Sequence, residues 1–340
     1  MSDESPVFLD SHSLLESELP PGLRLICRPP PSQPYDSGNK LRTSTDSEYP
    51  NLSRADIETR QYHESISERL SADWEALRKS VPCMTALHIQ WSDAATLKEA
   101  SIWDGALQLQ AVVSQFSEES KRSSSLFLEG AVSMALDSAL NVVVTNIEVG
   151  ETYLSVEEFD QKVKQYYLPP LSGFCISNNL QMPEIVSHCQ SEGKFDLVVI
   201  DPPWPNKSAS RSSAYPSLDI YELFQIPLNQ ICKLGSGLVA IWVTNRPKFR
   251  RFVKNKYFID NGITLLGEWF WIKLAQNGLP VFDLDGLGRK PYEGLIIGVA
   301  GSQTIPLFPS WKVFASFALG HSQKPYIEGQ SGRADYARLS

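Results

Sequence analysis

Long apolar runs, paired cysteines and an excess of positive charge are all missing from this 340-residue sequence. No run approaches the roughly 18 apolar residues of a membrane span, and the acidic start does not resemble a signal peptide. The five cysteines are scattered and form no C-x-x-C pair, which argues against structural zinc and predicts reduced thiols in the nucleus or cytoplasm. The net charge of −8 excludes a globally basic nucleic-acid binder, so any such contact has to be local.

Several familiar motifs are absent as well. The sequence contains no G-x-G-x-x-G, no Walker loop, no H-E-x-x-H and no G-x-S-x-G. Dinucleotide binding, P-loop phosphate binding and the common hydrolase arrangements therefore have no support. His63, His88 and His188 have no partners at ligand spacing, so we interpret them as surface or packing residues and predict no metal site.

The first half of the chain carries no recognisable chemistry. Residues 1–52 are rich in proline and polar residues and are predicted to be a disordered N-terminal segment. Helical patterns begin at Ser53 and run to Pro82, cover 94–116, and begin again at Ser155, ending before Pro169. With one strand expected near 142–145, residues 53–170 are predicted to form a smaller, mainly helical N-terminal module.

Strands and helices alternate across residues 171–325, which we predict to be one α/β domain. This alternation is typical of a doubly wound, mostly parallel sheet, whose ligands lie at the carboxyl ends of the strands. The predicted strands are 174–177, 195–200, 237–243, 264–273, 294–300 and 312–318, and the predicted helices lie near 183–191, 218–232 and 246–258.

The most informative motif is Asp201-Pro202-Pro203-Trp204, which directly follows the apolar run at 195–200. The two prolines fix the backbone and remove two N–H donors, so we expect carbonyls that face the site without competing donors. A carboxylate, rigid carbonyls and an aromatic face are suited to gripping the exocyclic amine of a base taken out of its stack. Trp204 is expected to stack on that base; the alternative is a tryptophan of the core.

Seven motifs in one order resemble the family of adenine-N6 methyltransferases named after the seventy-kilodalton subunit of the messenger-RNA adenosine methyltransferase. The resemblance covers about 150 residues and implies a Rossmann-like class I methyltransferase fold that uses S-adenosylmethionine. It also implies a nucleic-acid substrate, either RNA such as small nuclear RNA or DNA. The motifs are 194–196, 201–204, 206–208, 242–246, 268–273, 290–295 and 321–325.

The resemblance also implies the roles of single residues. Asp201 and the Pro202 carbonyl would accept hydrogen bonds from the adenine amine, and Lys324 would contact the carboxylate of the cofactor. Asn178 stands where the family has an aspartate, which weakens the expected charge attraction. The implied catalytic residues are Asp201, Pro202, Pro203 and Trp204, and the implied cofactor-binding residues are Asn178, Asn179, Asp201, His321 and Lys324.

The substrate is expected to touch the residues that follow the strand ends. These are Asn206, Lys207, Ser208, Arg211, Tyr215, Asn245, Arg246, Trp271, Lys273 and Glu293. A basic stretch within 246–256 is predicted to contact phosphate because it follows a strand end at the rim of the site; the alternative is a solvated helix face. Its phosphate-contacting residues would be Lys248, Arg250, Arg251 and Lys254.

Residues 326–340 depart from the family, which continues with a Glu-Leu-Phe-Ala-Arg strand and further cofactor contacts. We therefore expect a divergent tail and a sheet that lacks its last strand. Two functions stay open: an S-adenosylmethionine-dependent adenine-N6 methyltransferase, or a catalytically impaired relative that binds nucleic acid or an unknown partner subunit. A purely structural α/β domain would account for none of the ordered motifs.

Overall fold

The computed structural model describes 4–9, 31–35, 54–81, 125–128, 132–135, 143–146, 152–157, 163–168, 171–175, 177, 179–205, 219–286, 289–302, 305, 308–318 and 323–325. The helix expected at 94–116 and the divergent tail lie outside these residues.

The elements of the N-terminal half are β1 (Val7–Phe8), α1 (Arg54–Leu77), β2 (Ser125–Leu128), β3 (Val132–Ala135), β4 (Val143–Asn146), β5 (Thr152–Glu157), β6 (Val163–Leu168) and β7 (Gly173–Cys175). The C-terminal half adds α2 (Pro183–Glu192), β8 (Leu197–Ile200), a 3-10 helix (Ile220–Gln225), α3 (Leu228–Ile231) and β9 (Leu238–Val243). It continues with α4 (Pro247–Phe252), a π turn (Val253–Tyr257), α5 (Phe258–Asp260), β10 (Ile263–Leu274), β11 (Tyr292–Ala300) and β12 (Trp311–Phe317).

A mixed six-stranded sheet in the order β1-β12-β10-β11-β9-β8 forms the centre of the molecule. Three neighbouring pairs are parallel, whereas β11 runs antiparallel to both β10 and β9. The expectation of a mostly parallel α/β sheet is confirmed, with β11 as the reversed strand. The carboxyl ends of β8, β9, β10 and β12 and the start of β11 therefore share one edge, which we call the site edge.

Apolar side chains on both faces explain why the inner strands form. β9 is apolar and buried at all six positions, as expected for a strand covered on both faces. One face packs against α2, α3 and the helical run 247–260 through a cluster that includes Ile241, Val243 and Phe249. The predicted helices near 183–191 and 246–258 are confirmed, and the one near 218–232 divides into the 3-10 helix and α3.

The helix α1 belongs to this sheet, although the sequence placed it in a separate module. Leu70, Trp74 and Leu77 pack into one core cluster with Phe270 and Val313 of the sheet. The described part of 53–170 contains this one helix and five short strands. Most of 82–170 lies outside the described residues, so the mainly helical module stays a prediction.

The prediction of a helix that begins at Ser155 is wrong. The residues form β5 and β6, which pair antiparallel from Thr152 opposite Leu168 to Glu157 opposite Val163. The strand expected at 174–177 forms as β7 but pairs with β4 in a three-stranded sheet of the order β2-β4-β7. It therefore lies outside the six-stranded sheet. Among the described residues, no helix is long and apolar enough to cross a membrane.

Candidate active site

The site edge brings two carboxylates and two ammonium groups into one chain of ion pairs. Asp201 follows β8, and its Oδ2 atom lies 3.0 Å from Nζ of Lys324. The same Lys324 Nζ lies 3.1 Å from Oε2 of Glu293, and Lys273 pairs with the other carboxylate oxygen of Glu293. The order along the edge is therefore Asp201, Lys324, Glu293, Lys273, and we call these four residues the charged tetrad.

Two tryptophans lie beneath the charged tetrad. Nζ of Lys324 is 5.5 Å from the ring centroid of Trp242, and Nζ of Lys273 is 4.9 Å from that of Trp271. Both tryptophans are about 2% exposed, and their rings meet edge to face at 6.0 Å. The Trp271 indole donates a hydrogen bond of 2.8 Å to Ser316. The sequence placed Trp271 near the site; the structure places it directly under Lys273, where an aromatic face stabilises a cation.

The two carboxylates differ in their electrostatic surroundings. Burial raises the pKa of Asp201 above its usual value, although Lys324 partly opposes this effect. Burial also acts to raise the pKa of Glu293, but Lys273 and Lys324 outweigh it and hold that pKa below its usual value. Glu293 is thus fixed as an anion between two cations, whereas Asp201 is the group that can take up a proton.

The turn after Asp201 differs from the sequence-based expectation. The Pro202 carbonyl accepts a hydrogen bond of 2.8 Å from the backbone N–H of Trp204, so it does have a competing donor. A carbonyl oxygen has two lone pairs, so it can still accept a second hydrogen bond. Pro202 is buried and Pro203 is exposed.

Trp204 is a core residue, which corrects the expectation that it forms an open base platform. Its side chain is 7% exposed, and its indole N–H donates a 2.7 Å hydrogen bond to the Trp242 carbonyl. Its ring packs at 4.7 Å against Phe249 of α4. The turn folds the indole back against the end of β9, so Trp204 fixes Asp201 relative to that strand.

Asn245 joins two strand ends at the site edge. Its amide Nδ2 donates a hydrogen bond of 2.7 Å to the Tyr292 carbonyl, and its Oδ1 accepts a hydrogen bond of 3.2 Å from Nη2 of Arg250. Arg246 is half-buried at the start of α4. Asn245 therefore holds the start of β11, and with it Glu293, against the end of β9.

The predicted phosphate patch divides into two sides. Arg250 is 3% exposed and pairs with the buried Glu268, so its assignment as a phosphate contact is wrong. Lys254 also binds Glu268, at 2.6 Å, and Arg251 lies 2.8 Å from Glu58 of α1. Gly294 leaves room for this network, because a side chain there would force the Arg250 guanidinium to shift. Lys248 is exposed.

Some contacts of the site could not be foreseen. Nδ1 of His63 lies 2.9 Å from the hydroxyl of Tyr292, so α1 contacts the residue that precedes Glu293. The Tyr62 hydroxyl donates a hydrogen bond of 3.3 Å to Glu268. His63 was expected to be an ordinary surface or packing residue, and no spacing in the sequence indicates its partner. Trp242 did carry a signal, because it opens one of the seven motifs.

The remaining predicted site residues contribute less to this geometry. Asn179 lies in the turn before α2, where its Oδ1 accepts 2.9 Å from the backbone of Gln181. Asn178, Asn206, Lys207, Ser208, Arg211, Tyr215 and His321 lie outside the described residues. Within the described part of the chain, no three His, Cys, Asp or Glu side chains gather as metal ligands.

Comparison with known proteins matches the part of the chain that contains the charged tetrad. The family model MT-A70 matches residues 195–327. A human protein named N(6)-adenine-specific methyltransferase METTL4 is 37% identical over 173 residues, which cover 48% of this chain and 36% of that protein. The N6-methyladenosine RNA methyltransferase MTA1 of Pyricularia oryzae is 33% identical over 174 residues, covering 48% of this chain and 46% of that protein.

A third relative, named DNA N6-methyl methyltransferase, comes from Caenorhabditis elegans and is 28% identical over 166 residues. Those residues cover 47% of this chain and 44% of the nematode protein. The chain thus spans less than half the length of each of these three relatives.

Proposed function

We propose that this chain, whose residues 195–327 match the MT-A70 family model, transfers a methyl group from S-adenosylmethionine to the N6 amine of adenine in nucleic acid. Two of the relatives are named as an RNA methyltransferase and as a DNA methyltransferase. The observation that carries the proposal is Asp201 at the end of β8, 42% exposed, with its carboxylate 3.0 Å from the Lys324 ammonium group.

The adenine amine is a weak nucleophile because its lone pair is delocalised into the ring. Asp201 accepts a hydrogen bond from the amine, which favours the pyramidal nitrogen that attacks. After the transfer, the nitrogen carries an extra proton, and the raised pKa of Asp201 suits this carboxylate to receive it. Positioning and preorganised charge of this kind contribute several kcal/mol to lowering a barrier.

The charged tetrad fits the cofactor in its chemistry. S-adenosylmethionine, when bound, supplies a methyl group on a sulfonium centre and carries both a carboxylate and an ammonium group. Lys324 would hold the carboxylate, and the two anionic side chains beside it suit the positive groups. Glu293 keeps Lys324 at the site edge, since its oxygen lies 3.1 Å from the lysine Nζ.

Replacement of Asp201 by Asn tests the proposal. We expect methyl transfer to fall about 10²–10³-fold, or about 2–4 kcal/mol, because the anionic acceptor is lost while the shape is kept. Asp196→Asn is the matched control, because Asp196 lies at the other end of β8 in a surface pair with Lys233. Transfer of labelled methyl groups to adenine oligonucleotides is measured with the chain itself and with a chimera carrying the C-terminal segment of the human relative.

An unchanged rate in Asp201→Asn, or an equal loss in Asp196→Asn, would contradict the assignment. Circular dichroism and urea unfolding of both variants show whether a lost rate comes from a lost fold. With the fold intact and only Asp201→Asn inactive, the carboxylate at the strand end is the acceptor.

A second candidate function, binding of nucleic acid or of a partner without methyl transfer, is favoured by one observation. Among the described residues, β8 has a neighbouring strand on one side only. In the described part of the chain, the strand next to Asp201 is therefore β9, on one side only. Cofactor binding by the chain separates the two functions.

A further inference from the structure

The helical run 247–260 carries its cations on two different sides. Arg250, Arg251 and Lys254 face carboxylates of α1 and β10. Within the part of the chain that the structure describes, no carboxylate pairs with Arg246, Lys248 or Lys256. The cations of the first group are paired with carboxylates of the protein itself, and those of the second group can contact solvent or a ligand.

An exposed aromatic ring lies beside one of the unpaired lysines. Tyr221 of the 3-10 helix is 53% exposed and packs edge to face at 5.6 Å against Phe252. The ammonium group of Lys256 lies 4.7 Å from the centroid of the Tyr221 ring. Lys248 precedes Phe252 by four residues in α4, and Lys256 follows it by four residues in the π turn, so the two lysines lie on either side of Phe252 along the helical run.

The surface begins at the site edge. Arg246 directly precedes α4 and follows the end of β9, so Arg246, Lys248, Tyr221 and Lys256 run outward from the candidate active site. We call these four residues the outer strip. Asp219 and Glu222 lie beside Tyr221, but their side chains accept hydrogen bonds from the backbone at the start of the 3-10 helix.

We propose that the outer strip binds the single strand that flanks the target adenine, with one base stacked on Tyr221 and phosphates beside Lys248 and Lys256. Cations that follow a backbone together with an exposed aromatic ring are what sequence-tolerant single-strand binding requires. A duplex keeps its base faces stacked and so cannot use Tyr221. The assignment to a strand leaving the catalytic site rests on the proposed function; the binding itself does not.

Binding of labelled oligonucleotides of about 12 nucleotides, followed by fluorescence anisotropy without cofactor, tests this surface. Tyr221→Ala is expected to weaken binding of single-stranded RNA and DNA roughly 5- to 150-fold, which corresponds to about 1–3 kcal/mol per stacked base. Tyr221→Phe keeps the stacking face and is expected to restore most of the affinity. A duplex of the same length is expected to bind equally to Tyr221→Ala and to the unchanged protein.

The salt dependence tests the lysines separately. Lys248→Ala and Lys256→Ala are each expected to lower the slope of log affinity against log salt by about 0.7, the value for one phosphate contact on a single strand. Lys233→Ala is the matched control, because it removes the same charge near the start of β9, away from the site edge. It is expected to leave the slope unchanged.

Three results would overturn the proposal: unchanged binding in Tyr221→Ala, equal slopes in Lys233→Ala and Lys256→Ala, or an effect confined to RNA or to DNA. Asp201→Asn in the same assay keeps the two proposals apart. If Asp201→Asn loses methyl transfer but still binds oligonucleotides through the outer strip, the result concerns the role of Asp201 alone. If the outer-strip variants bind oligonucleotides normally while the protein is active, only the outer-strip proposal is refuted.

Discussion

Among single residues, Trp204 and Arg250 differ most from what their sequence positions indicate. Trp204 bonds to a carbonyl 38 residues away, and Arg250 pairs with a carboxylate 18 residues away. Neither partner follows from local spacing, so a motif tryptophan and a basic run are equally compatible with ligand contact and with packing. Asp201 was predictable because its position depends only on a local pattern, a polar residue directly after a buried apolar strand.

Glu293 gives a pH prediction at the residue scale. Its pKa in the folded protein lies below the usual 4.5, so its ionised form stabilises the fold above about pH 4.5. That stabilisation is lost as pH falls through the folded pKa. Glu293→Gln is therefore expected to be less stable at pH 7, by roughly 1–3 kcal/mol, because Lys273 and Lys324 lose a charged partner.

Urea unfolding at pH 7, 5, 4 and 3 measures the difference between the unchanged protein and Glu293→Gln. The difference is expected to be constant between pH 7 and 5 and to shrink at pH 4 and 3. The same difference at every pH would show that Glu293 does not depend on its charge in the charged tetrad.

At the scale of elements, α1 shows how tertiary contact overrides a division made from the sequence. The sequence gives the correct helix, because Ile66, Leu70, Trp74 and Leu77 recur at helical spacing. The spacing does not indicate which residues they pack against. The structure places them on the six-stranded sheet, and His63 extends the contact to Tyr292 beside the site.

The β5–β6 hairpin was missed for a related reason. Ser155 and Glu158 match a helix-start pattern, and the prolines at 169 and 170 match a helix end, so both ends indicated a helix. The residues between them include Tyr153, Val156, Tyr166 and Tyr167, which favour strands. Pairing of β5 with β6 decides the outcome, and such pairing is a long-range property of the chain.

Leu70→Ala tests whether α1 is part of the sheet domain. Leu70 is fully buried, so its truncation is expected to lower the free energy of unfolding by about 2–5 kcal/mol. Ile57→Ala on the same helix is the matched control, because Ile57 is 43% exposed; its effect is expected to stay within about 0.5 kcal/mol. Hydrogen exchange of β10 and β12 amides is expected to quicken in Leu70→Ala alone. Unchanged protection there would mean that α1 unfolds as a separate unit.

For the whole molecule, the sequence predicted the sheet class and five of its six strands, β8 to β12, but not their spatial order. It missed β1, which lies in the segment 1–52 predicted to be disordered, and it included the strand at 174–177, which lies outside this sheet. β11 lies between β9 and β10 and runs antiparallel to both. An alternation of strands and helices in the sequence does not indicate that β10 and β11, which follow each other in the chain, pair as antiparallel neighbours. The expected loss of the last strand concerns residues outside the described part of the chain and stays a prediction, but the described sheet has β8 at one edge. This apolar strand is at the edge of the described sheet, with Val199 50% exposed.

The position of β8 leads to a prediction about the cofactor. A specific small-molecule site buries most of its ligand against preformed walls, and Asp201 has a described strand-end wall only on the β9 side. The ion pair that Lys324 can offer is partly exposed and contributes only about 1 kcal/mol.

We therefore expect the 340-residue chain to bind S-adenosylmethionine weakly, with a dissociation constant well above the micromolar range in isothermal calorimetry. The chimera with the C-terminal segment of the human relative is expected to bind more tightly if, as the family resemblance implies, that segment adds a strand and further cofactor contacts. Micromolar binding by the unmodified chain, abolished in Lys324→Met, would show that its own residues complete the pocket, and the non-catalytic alternative would lose its main support.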